Sequence, residues 1–379
     1  MTELEVSQHI PETALVEHLA ASVSAPLAPC LGAMTYPHLD APAAETEALL
    51  TGAAVHDLGW LRRIAVRGED RFRWLSGMVT NAVETLPDNT GAYNLVLNAQ
   101  GRIQGDGYVW RSGDNLELEI TAEQYDPLMA HFDRFIIMDD VELVPLIGQS
   151  ALGLTGPLAN QILAKLGLPV LADSLTTVEA TLNETPLRLV RSHDALVPHY
   201  QLWVATSRIS ALWQALVAAG ATPVGSAALE TLRIVEGTPA YGIDIQSRDL
   251  AQETAQTRAL NFTKGCYLGQ EIVERVRSRG QVHRHLRALE LTQDSSSELP
   301  ATGTELHLAA SGTEAKPVGA LTSVAAVQLA GLQRIFAIGM IRAEAEVGNK
   351  PLTYPGGTAR ILTTVPKLTP ALNAAEETQ

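Results

Sequence analysis

Apolar positions change their spacing several times along this chain, and each change marks an element. Residues 63–68 place Ile64 and Val66 at a two-residue period, which predicts a strand. Residues 69–79 read as a helix with Phe72, Trp74 and Leu75 inward. Residues 93–98, 103–111 and 116–120 predict three further strands, with turns at 99–102 and 112–115. The last of them, Leu116-Glu117-Leu118-Glu119-Ile120, alternates strictly and predicts one face in water. A helix over 122–135 and a strand over 141–146 close this block.

Residues 151–166 repeat the order strand, glycine, helix, so a second and related α+β block is expected. It continues through strands at 187–190 and 201–204 and helices at 207–219 and 226–235, with Ser226 as N-cap of the last. From residue 283 the texture becomes short strands between glycines and prolines, at 286–291, 305–308, 318–324, 336–342 and 359–362. That spacing suggests a small β-barrel. The first 45 or so residues contain a run of small residues and proline at 21–30, which buries little apolar area for each residue ordered. A short helix is expected at 46–52. The expected organisation is α+β: a weakly ordered extension over 1–48, α+β units over 49–148 and 149–282, a β-barrel over 283–366 and a tail over 367–379.

Composition narrows the class. No run approaches 18 apolar residues, and Glu3 and Glu5 stand where a secretory signal would need cations. Cys30 and Cys266 are the only cysteines, too few for a disulfide framework, and a reducing cytoplasm is expected. The net charge of −15 argues against a surface that coats nucleic acid. Against that background Lys264, Arg275, Arg277, Arg279, Arg284 and Arg287 face only Glu271 and Glu274 across 24 residues of sequence. A basic stripe of this kind suits an anionic ligand or partner, and a solvated face is the plain alternative.

The densest chemistry is Lys264-Gly265-Cys266-Tyr267-Leu268-Gly269-Gln270-Glu271. Gly265 and Gly269 suggest close backbone approach or positive φ. A lysine two residues from a thiol favours the thiolate, so Lys264 and Cys266 are candidate reactive groups; a packed, inert cysteine is the alternative. One thiol cannot hold an iron–sulfur cluster, and no metal site is expected, His283 and His285 reading as an exposed strand end. Asp106 lies between Gly105 and Gly107 just past the turn at 99–102, where its carboxylate can face open space or cap its own backbone. Tyr241 and Tyr267 can stack on a flat heterocycle or pack in a core. Arg233 and Asp244 can touch ligand or pair with each other.

These residues carry a resemblance. The octapeptide with Val273 and Arg275, the segment 232–245 containing Arg233, Gly237 and Tyr241-Gly242-Ile243-Asp244, the hairpin Leu97-Asn98-Ala99-Gln100-Gly101-Arg102-Ile103 and the run 318–323 are similar to the T-protein superfamily of folate-binding proteins. The closer likeness is to its YgfZ-type branch, which includes a mitochondrial iron–sulfur-assembly counterpart. The resemblance spans roughly residues 50–365. It implies domains ringed around a central tetrahydrofolate pocket, with Asp106, Cys266 and Lys264 as catalytic candidates. Asn98, Gln100, Arg102, Asp106, Arg233, Tyr241, Tyr267, Gln270, Glu271 and Arg275 are the implied cofactor contacts.

The implied role is an accessory protein in assembly or repair of iron–sulfur enzymes, with client enzymes, assembly proteins or tRNA as partners. The basic stripe would hold a polyglutamylated folate tail or a phosphate-bearing RNA. Two departures bear on the alternative, an aminomethyltransferase of the glycine cleavage type. That branch carries paired acids where this chain has Gly105 and Asp106, and a Gly-Tyr-Thr-Gly-Glu run where this chain has residues 193–200, His-Asp-Ala-Leu-Val-Pro-His-Tyr. A non-catalytic scaffold is the third reading.

Overall fold

The computed structural model describes residues 10–280, 282–294, 297–309, 316–329, 332–347 and 350–368; the start of the expected extension, 1–9, and the tail over 369–379 lie outside these. The first unit runs from the strand Leu61–Arg67 through the helix Arg71–Met78 to the strands Thr90–Leu97, Ile103–Ser112 and Asn115–Thr121. The helix Tyr125–Asp133 and the strand Glu142–Pro145 follow. The second unit repeats the scheme with Gln149–Thr155, the helix Ala159–Lys165, the strands Thr176–Leu182, Thr185–Arg191 and His199–Ala205, and the helix Ile209–Ala218. In each unit the first strand lies beside the fourth, then the third, then the second. The two second strands meet at Thr90 and Thr176, which joins both units into one sheet of eleven strands. The expected duplicated α+β architecture is thus present, with the strand Thr176–Leu182 as an addition.

The alternation at 116–120 does not leave a wet face. Glu117 and Glu119 are buried, because the second unit covers that side of Asn115–Thr121. The Arg63 guanidinium, 3 % exposed, donates to Glu117 at 3.0 Å and to Glu119 at 3.1 Å. It lies 4.4 Å from the Trp203 ring centroid. Arg188 bonds Glu117 at 2.7 Å, Trp110 Nε1 and Gln201 Nε2 bond Glu119, and Trp203 Nε1 bonds Gln201. A charged, fully packed network therefore holds the two halves of the sheet face to face.

The N-terminal segment is not weakly ordered from residue 10 onward. Leu15, Val16 and Leu19 join the core of the second unit. Thr13 and Thr35 donate to the buried Asp57 carboxylate, which also accepts the Gly59 N–H. A hairpin of Ala28–Cys30 and Ala33–Thr35 turns through Leu31 and Gly32, both at positive φ. A Cβ on Gly32 would sit 2.3 Å from the Glu123 nitrogen, so the hairpin rests directly on the first unit. Composition concealed this because the segment contributes a few well-placed contacts rather than apolar mass. The expected helix at 46–52 is the end of Pro42–Thr51.

The helix Ser226–Glu236 starts from Gly225 as N-cap, where Ser226 was expected; a Cβ at Gly225 would meet the Pro37 carbonyl at 2.2 Å. The C-terminal region is a closed six-stranded barrel. It includes one strand that alternation did not reveal, Leu352–Tyr354. Buried residues of the first unit (Leu95, Leu97), of the helix Ser226–Glu236 (Leu232, Val235) and of the barrel (Phe336, Ile338) share one core. The barrel is also tied by Asp244, which accepts from Thr322 and Ser323.

Candidate ligand-binding site

Between the two units lies a cavity of about 520 Å3. Tyr108 comes from the first unit, His193 and His199 from the second, and Glu236 and Arg233 from the helix Ser226–Glu236; Cys30 of the N-terminal hairpin closes one side. Burial pushes the Cys30 thiol up to about 12, so it stays protonated.

Asp106 belongs to the strand Ile103–Ser112, on the same face as Tyr108. Its carboxylate accepts Tyr93 Oη at 2.7 Å and Gln124 Nε2 at 2.9 Å, while its own N–H donates to Gln124 Oε1 at 2.8 Å. It does not cap its own turn. The residue is half-buried. Burial raises its pKa, opposed by the Tyr93 and Gln124 hydrogen bonds and by the charge of Arg258. The Arg258 guanidinium lies 4.6 Å from the Tyr93 ring centroid, and Nη1 is 3.4 Å from Tyr108 Oη. Tyr93 and Tyr108 pack at 5.3 Å. Gly105 faces away from this constellation; a Cβ there would meet Gln124 Oε1 at 2.7 Å and Leu128 at 2.9 Å. An acid at position 105 would therefore point toward Gln124 and Leu128, which would have to shift, and onto the strand face opposite to the Asp106 side chain.

The other expected contacts divide sharply. Tyr241 is half-buried and close enough to Asp106 for that charge to raise its pKa after burial has done so. Arg233 lines the cavity, but its five donors go to Glu230 twice, the Thr238 carbonyl, Asp244 and Ser323. It is a structural tie. Asn98 closes its own hairpin by accepting the Gln100 and Arg102 N–H groups. Gln100 is exposed, and Arg102 is exposed with Nη1 on the Arg248 carbonyl. Tyr267 is 7 % exposed and belongs to the shared core, so it is no stacking platform. Gln270 caps locally onto the Tyr267 N–H, and Glu271 and Arg275 are exposed on the helix Gln270–Arg279.

The octapeptide docks on the hairpin at 98–102. Gly269 has φ 81°, and a Cβ there would meet the Asn98 carbonyl at 2.6 Å; Gly265 lies in open space and needs neither property. Lys264 does not activate Cys266. Its Nζ donates to the carbonyls of Ser76 at 2.6 Å, Val79 at 2.7 Å and Asn81 at 2.7 Å, using all three protons at the end of the helix Arg71–Met78. Burial lowers its pKa to about 8. Cys266 is exposed. Lys264→Met is thus expected to cost about 1–3 kcal/mol by stranding carbonyls, and Cys266→Ser no more than about 0.5 kcal/mol. Urea unfolding checks both, and equal losses would contradict this division of roles.

The basic stripe also disperses. Arg284 pairs with Asp249 and Glu253, and Arg287 with Glu346, which His285 shares. Arg275 and Arg277 remain exposed on the helix, Arg277 over the Phe262 ring at 4.4 Å; the Arg279 side chain lies outside the described residues. Among the described side chains these cations are thus divided between ion pairs and the helix Gln270–Arg279. Sequence reasoning also passed over Tyr93, Gln124, Arg258, His56, His193, His199 and Glu236. Only His193 and His199, in the segment that departs from Gly-Tyr-Thr-Gly-Glu, and Glu236, in the segment 232–245, carried a signal; the others come together only through folding.

The family model described as the GCVT N-terminal domain matches residues 30–264. An Arabidopsis thaliana protein described as a putative chloroplastic transferase is 26 % identical over 326 residues, covering 85 % of this chain and 73 % of that protein. The aminomethyltransferase of Rubrobacter xylanophilus is 28 % identical over 251 residues, 62 % of this chain and 65 % of the relative. Among solved structures, the glycine cleavage system aminomethyltransferase T from Bartonella henselae superposes with a TM-score of 0.80 at 19 % identity, covering 93 % of this chain and 96 % of that one. The match spans well over half of the sequence and includes the Asp106 strand, so the chain belongs to the GCVT N-terminal domain family and has the aminomethyltransferase-like fold.

Proposed function

We propose that this protein binds a tetrahydrofolate-type ligand between its two α+β units and serves as an accessory protein in assembly or repair of iron–sulfur enzymes, as the YgfZ-type likeness of its octapeptide implies. The observation that carries the ligand reading is Asp106. Each of its oxygens accepts one protein hydrogen bond and keeps a lone pair, and the half-buried residue stands two positions from Tyr108, which lines the cavity. A carboxylate held this way accepts adjacent N–H donors, as an amino-pyrimidinone edge presents them, while tyrosine supports a flat ring. A cavity of about 520 Å3 suits such a ligand. The exposed Cys266 and the helix cations Arg275 and Arg277 offer a surface for client or assembly proteins, with tRNA a weaker partner. Among the described residues no helix is long and apolar enough to cross a membrane. A cytoplasmic setting rests on the cysteine usage alone.

Aminomethyl transfer is the second reading, favoured by the names of relatives such as the Rubrobacter protein. Gly105 weighs against it, because the second acid is missing and an acid there would point to the strand face opposite to Asp106. Calorimetric titration with tetrahydrofolate tests the ligand: binding lost in Asp106→Ala and kept in Cys266→Ala supports the proposal, and no binding by the wild type sinks it. Turnover with an aminomethylated lipoyl carrier protein, abolished by Asp106→Asn, would favour the second reading. Iron–sulfur enzyme activities in cells lacking the protein, restored by wild type but not by Cys266→Ser, test the accessory role; unchanged activities would refute it.

A further inference from the structure

The cavity wall carries a second constellation that the Asp106 reading does not use. Glu236 ends the helix Ser226–Glu236 and its carboxylate is only 5 % exposed. The Leu196 N–H donates to Oε1 at 3.2 Å, and His199 Nε2 meets the same oxygen at 2.9 Å. A carboxylate accepts only, so Nε2 carries a proton, and in the singly protonated ring Nδ1 keeps the lone pair. No described residue bonds His199 Nδ1, and the ring, 21 % exposed, lines the cavity.

The two neighbouring histidines are differently placed. His56 sits against Gly153, where a Cβ would lie 1.8 Å from its ring, and its Nε2 is held by Thr155 Oγ1 at 2.9 Å. Among the described residues no carboxylate is bonded to His193, which faces the charges of Arg258, Glu236 and Asp194. Thr155 is also the cross-strand partner of His199, which brings His56 beside it. His199 is thus the one cavity histidine with a carboxylate behind it among the described residues.

We propose that the His199–Glu236 pair is a ligand-contacting base of this cavity, accepting an N–H or O–H of the bound heterocycle through His199 Nδ1. The proposal rests on the folate reading and adds the residue that meets the ligand away from Asp106. Glu236 is a positioning residue, since it acts through His199. Accepting through Nδ1 needs the singly protonated ring, so the proposal predicts that binding weakens once acid protonates it. The groups facing His199 are Glu236, His56 and His193, with Arg258 and Asp194 beyond His193. Burial holds His56 down to about 3 and His193 to about 4, so neither titrates between pH 5.5 and 7.5.

Calorimetry with tetrahydrofolate at pH 5.5, 6.5 and 7.5 tests this on wild type, His199→Gln, Glu236→Gln and Asp106→Asn. The expected result is about tenfold weaker binding in His199→Gln at pH 7.5, one hydrogen bond in affinity terms, with a flattened pH profile. Glu236→Gln shifts the profile while keeping most of the affinity, a change that loss of packing alone would not produce. Asp106→Asn is expected to bind weakly with the acid-side fall intact. If the wild type binds and His199→Gln matches it in affinity and profile, the base assignment is overturned while the folate reading stands. If the acid-side fall disappears in Asp106→Asn instead, it belongs to Asp106 and the assignment is overturned. If the wild type does not bind at all, the folate reading fails and this inference falls with it.

Discussion

Arg63→Ala is expected to destabilise the protein by about 3–5 kcal/mol, because it removes a buried cation from between two buried carboxylates. Glu117 would keep only Arg188, and Glu119 only the neutral donors Trp110 and Gln201. The Trp203 ring would also lose the guanidinium stacked 4.4 Å from its centroid. Breaking one partner of a buried pair costs more than the pair contributes net, since the remaining charge is left without solvent or counter-ion. Urea unfolding of Arg63→Ala and of Arg63→Ala/Glu119→Gln checks this. The double variant should recover part of the loss, because a neutral amide needs no counter-charge. A single-variant loss below about 1 kcal/mol, or no recovery, would mean that the network does not join the two units energetically.

Acid should weaken the fold through His56, by up to a few kcal/mol between pH 6.5 and 3. The ring is 4 % exposed and burial lowers its pKa from 6.5 to about 3. Below pH 6.5 the unfolded chain takes up this proton and the folded chain does not, so the unfolded state gains. The stability present above 6.5 is therefore lost progressively as pH falls toward 3. His193, lowered to about 4 mainly by burial, acts with the same sign. Asp57 and Asp106, both raised by burial, act with the opposite sign, so the wild type alone does not isolate His56. The urea midpoint of wild type minus that of His56→Gln, followed from pH 7.5 to 4.5, does. A difference that stays constant over this range would contradict a neutral buried His56.

Local pattern carried much of the fold. The strand at 103–112 and the helix at 71–78 were legible because period two and period 3.6 are properties of neighbouring residues. The helix Gln270–Arg279 went unread, its arginines having been taken for a stripe of charge. Glu117 and Glu119 show where pattern misleads: alternation reports two different faces, and water or a second sheet can cover the polar one. The site was legible in the same partial way. Asp106 stood out between glycines, whereas Lys264 looked reactive beside Cys266 until its three protons were found on carbonyls from residues 76–81.

By itself the sequence determined the duplicated α+β order, the C-terminal barrel, the superfamily likeness and the candidacy of Asp106. All of these are written in local spacing, in composition or in short contiguous motifs. Tertiary structure alone decided that the N-terminal hairpin walls the cavity, that Arg233 and Lys264 are spent on the fold, and that His199 and Glu236, 37 residues apart, form one pair. The physical reason is that burial and hydrogen-bond saturation depend on what arrives from distant segments. A donor's availability to a ligand is settled only when every competing acceptor in the folded chain has taken its place.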